Sequence, residues 1–215
     1  MSENIKIIKK DNINVIQELF SKFKKAVVFG KGPTFKVIEK DEDTLFCCVN
    51  ETINYIDDCD ILVINDIEKF SNIIPSKFTN LKCILTPYHI HKNAKFDKNL
   101  TYNDVIMKLK DYFNGYLIVH NLAIHIPKAN YDDFITLPSK VVRSTCHTSC
   151  DFIFGFLTNI VCIDTYGFGI SNSDNEFYNE SFKNNKAGCN AKRLRILITC
   201  MNSIKQYYNK PITYK

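Results

Sequence analysis

Short continuous runs of apolar residues, each closed by a polar or glycine-containing turn, recur along this chain. Ala26-Val27-Val28-Phe29 stops at glycines. Thr44 to Val49, Asp60 to Asn65, Leu81 with Cys83-Ile84-Leu85, Tyr116 to Val119 and Ile160 to Asp164 repeat the form. A strand that is apolar on both sides has no solvated face, so such runs predict strands of a parallel sheet covered above and below. Between them lie apolar positions at helical spacing. Ile13, Val15, Ile16, Leu19, Phe20 and Phe23 predict a leading helix, and Val105 to Phe113 a second. Ser144 to Leu157, with Ser144 or Thr145 as N-cap, predicts a third, and Ala191 to Tyr207 a closing one. The alternation predicts an α/β, Rossmann-like fold with a mainly parallel sheet and helices on both faces. Thr86 to Gly115 turns polar and is the place for a small lid or insertion (86-115). Pro127 to Pro138 reads as an ordered loop, and Ser171 to Cys189, rich in Asn, Ser and Glu, as a loop beside the site. With no internal repeat or linker, residues 1-215 are expected to form a single domain.

Composition changes this picture little. Hydrophobic residues at 45% and charged residues at 24% suit a packed globular chain and exclude disorder as the default. The net charge of +5 and pI near 8.6 suit a phosphate-bearing partner but fall short of a dedicated nucleic-acid binder. The Lys runs (Lys9-Lys10, Lys22 with Lys24-Lys25, Lys192-Arg193 with Arg195) read as solvated helix faces, and the aromatics sit in core-like runs without basic interleaving, so no nucleic-acid partner is expected. Nine cysteines, an odd number without a C-x-x-C pair, lie partly inside strand-like runs where a thiol acts as a small hydrophobe. Met1 to Lys10 has no apolar leader core, and no run approaches the roughly 18 apolar residues of a membrane span. A reducing, cytoplasmic residence is expected, in a viral setting or otherwise.

The chemistry concentrates at strand ends, where parallel sheets bind ligands. Gly30-Lys31-Gly32-Pro33-Thr34 follows the first core strand directly. Glycines there let backbone N–H groups approach a phosphate, Pro33 fixes φ at the start of a following helix whose positive end adds to the site, and Thr34 offers a hydroxyl. Phe35 stands where a dinucleotide fingerprint has its third glycine. Asn50 and Glu51 end the second strand. Glu51 keeps a nicotinamide or S-adenosylmethionine reading open, whereas Asn50 suits a nucleotide read by hydrogen bonds. Asn65-Asp66, ending the third strand, either lines the same crevice or caps the next helix. His89-Ile90-His91 invites a metal reading but has no companion carboxylate or cysteine at ligand spacing, so no metal site is expected.

Strand, then G-x-G-P-[ST], then a strand ending in Asn resembles the bacterial sialyltransferases and their phage and viral relatives, which transfer sugars from CMP-linked donors. A second block agrees: Arg143-Ser144-Thr145-Cys146-His147-Thr148-Ser149, a helix, then Asn159 to Gly169, with Tyr166-Gly167-Phe168 also similar to a short motif of animal sialyltransferases. Together the blocks cover about half the chain. The resemblance implies a glycosyltransferase without a cofactor or required metal. Its nucleotide-sugar co-substrate would be held by Gly30, Lys31, Gly32, Pro33, Thr34, Asn50, Glu51, Asn65, Arg143, Ser144, Thr145 and Tyr166, its acceptor being a glycan or other hydroxyl. Lys31 stands where the family usually has Asn, and Cys47-Cys48 where it has Arg. The family's catalytic His follows the final strand, and here no His follows His147. Deprotonating an acceptor needs a group of suitable pKa within hydrogen-bond reach. His147, in the turn opening the third helix, leads, with Tyr178, Glu176 and Glu180 as substitutes and His120 and His125 at a strand end also able to face the site. Two other function classes stay open: a nucleotide-binding module or degenerate transferase without turnover, and a Rossmann methyltransferase or NAD enzyme.

Overall fold

The computed structural model describes residues 5–65, 67–87, 102–121, 133–139, 144–168 and 191–215. The continuous apolar runs become adjacent strands of one sheet, every described pairing of which is parallel. The strands are β1 (Ile5–Ile8), β2 (Lys25–Phe29), β3 (Thr44–Val49), β4 (Ile61–Val63), β5 (Cys83–Pro87), β6 (Gly115–Asn121), β7 (Ile135–Thr136), β8 (Cys162–Tyr166) and β9 (Ile212–Tyr214). Their order is β1-β6-β5-β4-β3-β2-β8-β9. β7 pairs with β6 at His120 and Asn121, beyond the point where β1 stops opposite Ile118. Since β5 occupies the other side of β6, β1 and β7 share one edge position, joined by the Lys10 N–H on the Asp133 carbonyl at 3.0 Å.

Alternation along each strand sends side chains into two cores. Ala26, Val28, Leu45, Cys47, Ile61, Val63 and Leu85 meet α1 (Asn14–Leu19), α3 (Thr145–Phe156) and α4 (Ala191–Tyr208) on one face. Val27, Phe29, Phe46, Leu62, Ile64 and Val119 point to the other, covered by α2 (Tyr102–Leu109) and by 3-10 turns at Asn50–Tyr55, Ile67–Asn72 and Pro75–Phe78. The α/β, Rossmann-like fold with both sheet faces covered is therefore what the molecule has.

Several elements differ from expectation. No helix follows the glycine loop. Phe35 folds back against Phe29 (ring centroids 6.3 Å apart), and the acidic Asp41-Glu42-Asp43 would sit at a helix C-terminus, where the backbone dipole opposes negative charge. Residues 102–115 of the expected lid do not form a separate layer. They hold α2, followed by Phe113, and Leu109 and Phe113 are buried beside β5 and β6, so this stretch belongs to the crossover between those neighbouring strands. Inside the expected loop from Pro127 to Pro138, Ile135 and Thr136 pair as β7. The strand through Ile163 is not the last, because β9 continues the sheet past it; β1 and β9 are too short for their pattern to stand out in the sequence. Among the described residues no helix is long and apolar enough to cross a membrane.

Candidate functional site

The strand order reverses at β2, with β3 on one side and β8 on the other, and open parallel sheets hold ligands at the carboxyl end of such a switch. Here two glycine turns meet. The Gly30 N–H donates to the Tyr166 carbonyl (2.7 Å), the Gly32 N–H to the Gly167 carbonyl (2.5 Å), and the Gly167 N–H to Thr34 Oγ1 (3.0 Å). A Cβ on Gly30 would lie 2.7 Å from the Gly167 carbonyl oxygen, and one on Gly167, whose φ is +76°, would run into the Gly30 carbonyl. Glycine is thus demanded by the approach of two backbones. The Gly30 and Gly32 amides, expected to face a phosphate, are spent on carbonyls. Pro33 and Thr34 complete the turn, its Phe35 N–H bonded to the Gly32 carbonyl at 3.0 Å. Tyr166 is buried, its ring stacked on Phe29 with centroids 6.0 Å apart and Lys36 Nζ 5.4 Å from its centre.

Beside this crevice, Glu51 at the end of β3 is only 2% exposed and gathers cations. Lys31 Nζ lies 2.9 Å from Oε2, Lys69 Nζ 3.6 Å from Oε1, and Asn72 Nδ2 donates to Oε1 at 3.1 Å. Burial alone would raise the Glu51 pKa, but the charge and hydrogen bond of Lys31, helped by Asn72, hold it below the ordinary carboxylate value. Two ammonium groups thus gather around one buried carboxylate. Glu51 is engaged as a counter-ion, so the observation that kept a ribose-binding carboxylate in view points instead to ordering Lys31.

Farther along the same sheet end several buried polar atoms have no hydrogen-bond partner among the described residues. Asn50, directly after β3 and at φ +54°, has a buried Oδ1 with no hydrogen-bond partner among the described residues. So does Asn65, two residues past β4, whose Nδ2 donates to Thr148 Oγ1 at 2.9 Å while that hydroxyl reaches the Ser144 carbonyl at 3.2 Å. This chain of bonds docks the first turn of α3 onto the end of β4. Thr86 in β5 and His120 in β6 are fully buried, and the Thr86 hydroxyl and both His120 ring nitrogens likewise find no partner among the described residues. An orphaned buried polar group costs roughly 1–3 kcal/mol, and here four lie at the ends of four adjacent strands. Burial pushes the His120 pKa down to about 4, outweighing the neighbouring Asn121 backbone, which favours the charged ring but does not meet hydrogen-bond geometry with either nitrogen.

The first turn of α3 carries the remaining candidates. Ser144 occupies the cap position, yet its hydroxyl meets His147 Nδ1 at 3.1 Å instead of a backbone amide. His147 is fully buried, and its Nε2 lies 3.2 Å from the Leu197 carbonyl of α4. A carbonyl can only accept, so Nε2 carries the proton and Nδ1 accepts from Ser144. The imidazole named as base is therefore bonded at both nitrogens and ties α3 to α4. Thr145 is buried beside it.

The structure thus brings Asn65, Ser144, Thr145 and His147 to one helix start, sets Asn50 at the adjacent strand end, and keeps Lys31 and Glu51 paired at the glycine loop. Arg143, Tyr178, Glu176, Glu180, His125, Asp66 and the His89-Ile90-His91 pair lie outside the described residues. Thr86, Lys69, Asn72 and Thr148 escaped the sequence reading. A threonine inside an apolar strand run was the one available signal for Thr86; the others depend on neighbours distant in sequence. Among the described residues no three His, Cys, Asp or Glu side chains come together as a metal site, and the described cysteines are free. Desolvation raises the thiol pKa of Cys47, Cys48, Cys83 and Cys150, so these act as apolar packing groups. No protein-family model, no curated protein and no solved structure matches the chain, so what identifies it at this point is its architecture: an α/β, Rossmann-like sheet with a polar carboxyl end.

Proposed function

We propose that the carboxyl end of β2–β4, closed by the first turn of α3, is the donor site of a sialyltransferase-like glycosyltransferase that uses a CMP-linked sugar and a hydroxyl acceptor. One observation carries the reading: the buried Oδ1 atoms of Asn50 and Asn65 at adjacent strand ends have no partner among the described residues, while the Asn65 amide nitrogen docks to α3 through Thr148. Desolvated acceptors call for incoming donors, and a cytidine nucleotide offers both an exocyclic amine and ribose hydroxyls. The cations Lys31 and Lys69, gathered at Glu51, suit its phosphate, and the start of α3 adds positive potential. The choice of CMP over other nucleotides rests on the resemblance of the two sequence blocks.

A second reading, a donor-binding domain without turnover, is favoured by one fact: both His147 nitrogens are engaged inside the fold. A melting-temperature panel with CMP, UDP, S-adenosylhomocysteine and NAD tests the donor class. A ligand at 100 times its Kd stabilises by about 2.7 kcal/mol, so CMP should give a clear shift. A shift with S-adenosylhomocysteine or NAD and none with CMP or a CMP-sugar overturns the proposal. Given CMP binding, release of free sugar from a CMP-sugar separates the transferase from the binder.

A further inference from the structure

The molecule buries two described imidazoles, and their states are opposite. His147 is bonded at both nitrogens, whereas His120 is equally inaccessible and has neither nitrogen partnered among the described residues. The position of His120 is well defined. Pro87 is its register partner on β5, and Val63 on β4 pairs with Leu85, so Asn65, Pro87 and His120 stand level across β4, β5 and β6. Asn65 continues the alternation of Ile61 and Val63, and His120 that of Ile118, which places both on the face that α3 covers. Two inter-strand spacings separate them, about 10 Å.

Charge divides the sheet end in the same direction. Lys31, Lys69 and Lys36 surround the crevice at β2 and β3, whereas the groups at β4 and β6 on the α3 face that have atoms without a partner among the described residues are an amide and an imidazole. Cations suit phosphate; the uncharged set suits hydroxyls. We propose that His120 is the hydroxyl-recognising residue of a sugar subsite at the carboxyl end of β6, continuing the donor site away from its phosphate end. This rests on the donor-site reading above. A neutral imidazole offers one N–H donor and one nitrogen acceptor, and a sugar hydroxyl can accept or donate, so two ligand hydroxyls, one at each ring nitrogen, satisfy it. The lowered His120 pKa keeps the ring neutral at physiological pH, preserving its acceptor nitrogen.

The test uses the full chain, its His120→Phe and His120→Gln variants, and two probes, CMP and CMP-linked sialic acid, with calorimetric titration and ring 15N signals of labelled histidine. Wild type should bind CMP-sialic acid more tightly than CMP, with the His120 ring signals moving for the sugar nucleotide and not for CMP. His120→Phe should melt at or above wild type, because it deletes an orphaned buried polar group, and should bind CMP within about twofold. It should lose at least tenfold in affinity for CMP-sialic acid, part of which His120→Gln restores through its amide donor and acceptor. Unchanged CMP-sialic acid affinity in His120→Phe, or ring signals unmoved by that probe, overturns the subsite while leaving the donor site standing. Should wild type bind neither probe, the donor-site reading itself is overturned and the subsite with it. If the Phe variant does not fold, the wild-type ring signals and the Gln variant decide.

Discussion

At one end of a single sheet, two neighbouring regions show opposite conditions. Between β2 and β8 the glycine turns satisfy one another: amides meet carbonyls, and Thr34 Oγ1 takes the Gly167 N–H. From β3 to β6 each strand end carries a buried side-chain atom with no partner among the described residues. The first region carries the sequence motif that points to phosphate, yet the second holds the hydrogen-bonding capacity a ligand would use. Glycines after a strand mark a place where backbone must come close to something. In this molecule that something, for Gly30 and Gly167, is another glycine turn.

The contrast can be broken at either side. The largest effect is expected from Gly167→Ala, which places a Cβ against the Gly30 carbonyl at a φ that alanine resists: a loss of about 3 kcal/mol or more, read by urea unfolding. A loss below about 1 kcal/mol would mean the closure is soft and the Gly30 and Gly32 amides can open toward a phosphate. Glu51→Gln should cost about 2–3 kcal/mol near neutral pH, because Lys31 and Lys69 lose their shared counter-ion in a poorly solvated place. The pH dependence has a definite sign. The Glu51 pKa is depressed in the fold, so its contribution is complete above the ordinary carboxylate pKa of 4.5 and disappears as pH falls through the lower folded value. Wild type and Glu51→Gln should therefore converge in stability toward acid, and a gap that persists at low pH would assign the cost to packing instead of charge.

His147→Leu should lose about 1–3 kcal/mol, since the Ser144 hydroxyl and the Leu197 carbonyl are left without their partner. If His147 serves the fold, CMP affinity in that variant stays within about threefold; a collapse of turnover at unchanged stability would restore it as a base. The smallest change in stability belongs to Asn65→Leu, about 1 kcal/mol or less, because the lost bond to Thr148 is offset by deletion of an orphaned acceptor. Its affinity for CMP should nevertheless fall about tenfold in titration, and undiminished binding would remove Asn65 from the site.

Much of the architecture was legible. Runs such as Thr44–Val49, short, apolar throughout and bounded by turns, read as strands covered on both faces, and this one is buried at every position; the spacing of Phe152, Ile153, Phe154 and Phe156 marked α3 within a residue or two of its ends. What escaped were short elements and the nature of the connections. Ile212–Tyr214 is a strand because β8 offers it a partner, and three residues carry too little pattern to show that. The site was legible in part. Asn50, Asn65, Ser144 and Thr145 sit where strand ends and a helix start place them, but no residue string distinguishes a satisfied polar group from an orphaned one.

That distinction separates the two sources of information. The chain itself pointed to the parallel sheet, since short continuous apolar runs alternating with helical stretches suit strands buried on both faces and joined by crossovers. It also determined that glycines and small polar residues close those strands. Only the tertiary structure decided that Gly30 and Gly32 spend their amides on the β8 turn, that Lys31 pairs with Glu51, that His147 is bonded at both nitrogens, and that Asn50, Asn65, Thr86 and His120 are not fully satisfied by the described residues. Burial of apolar runs is a property of local sequence, whereas the partner of a polar atom is set by residues dozens of positions away that packing brings within 3 Å.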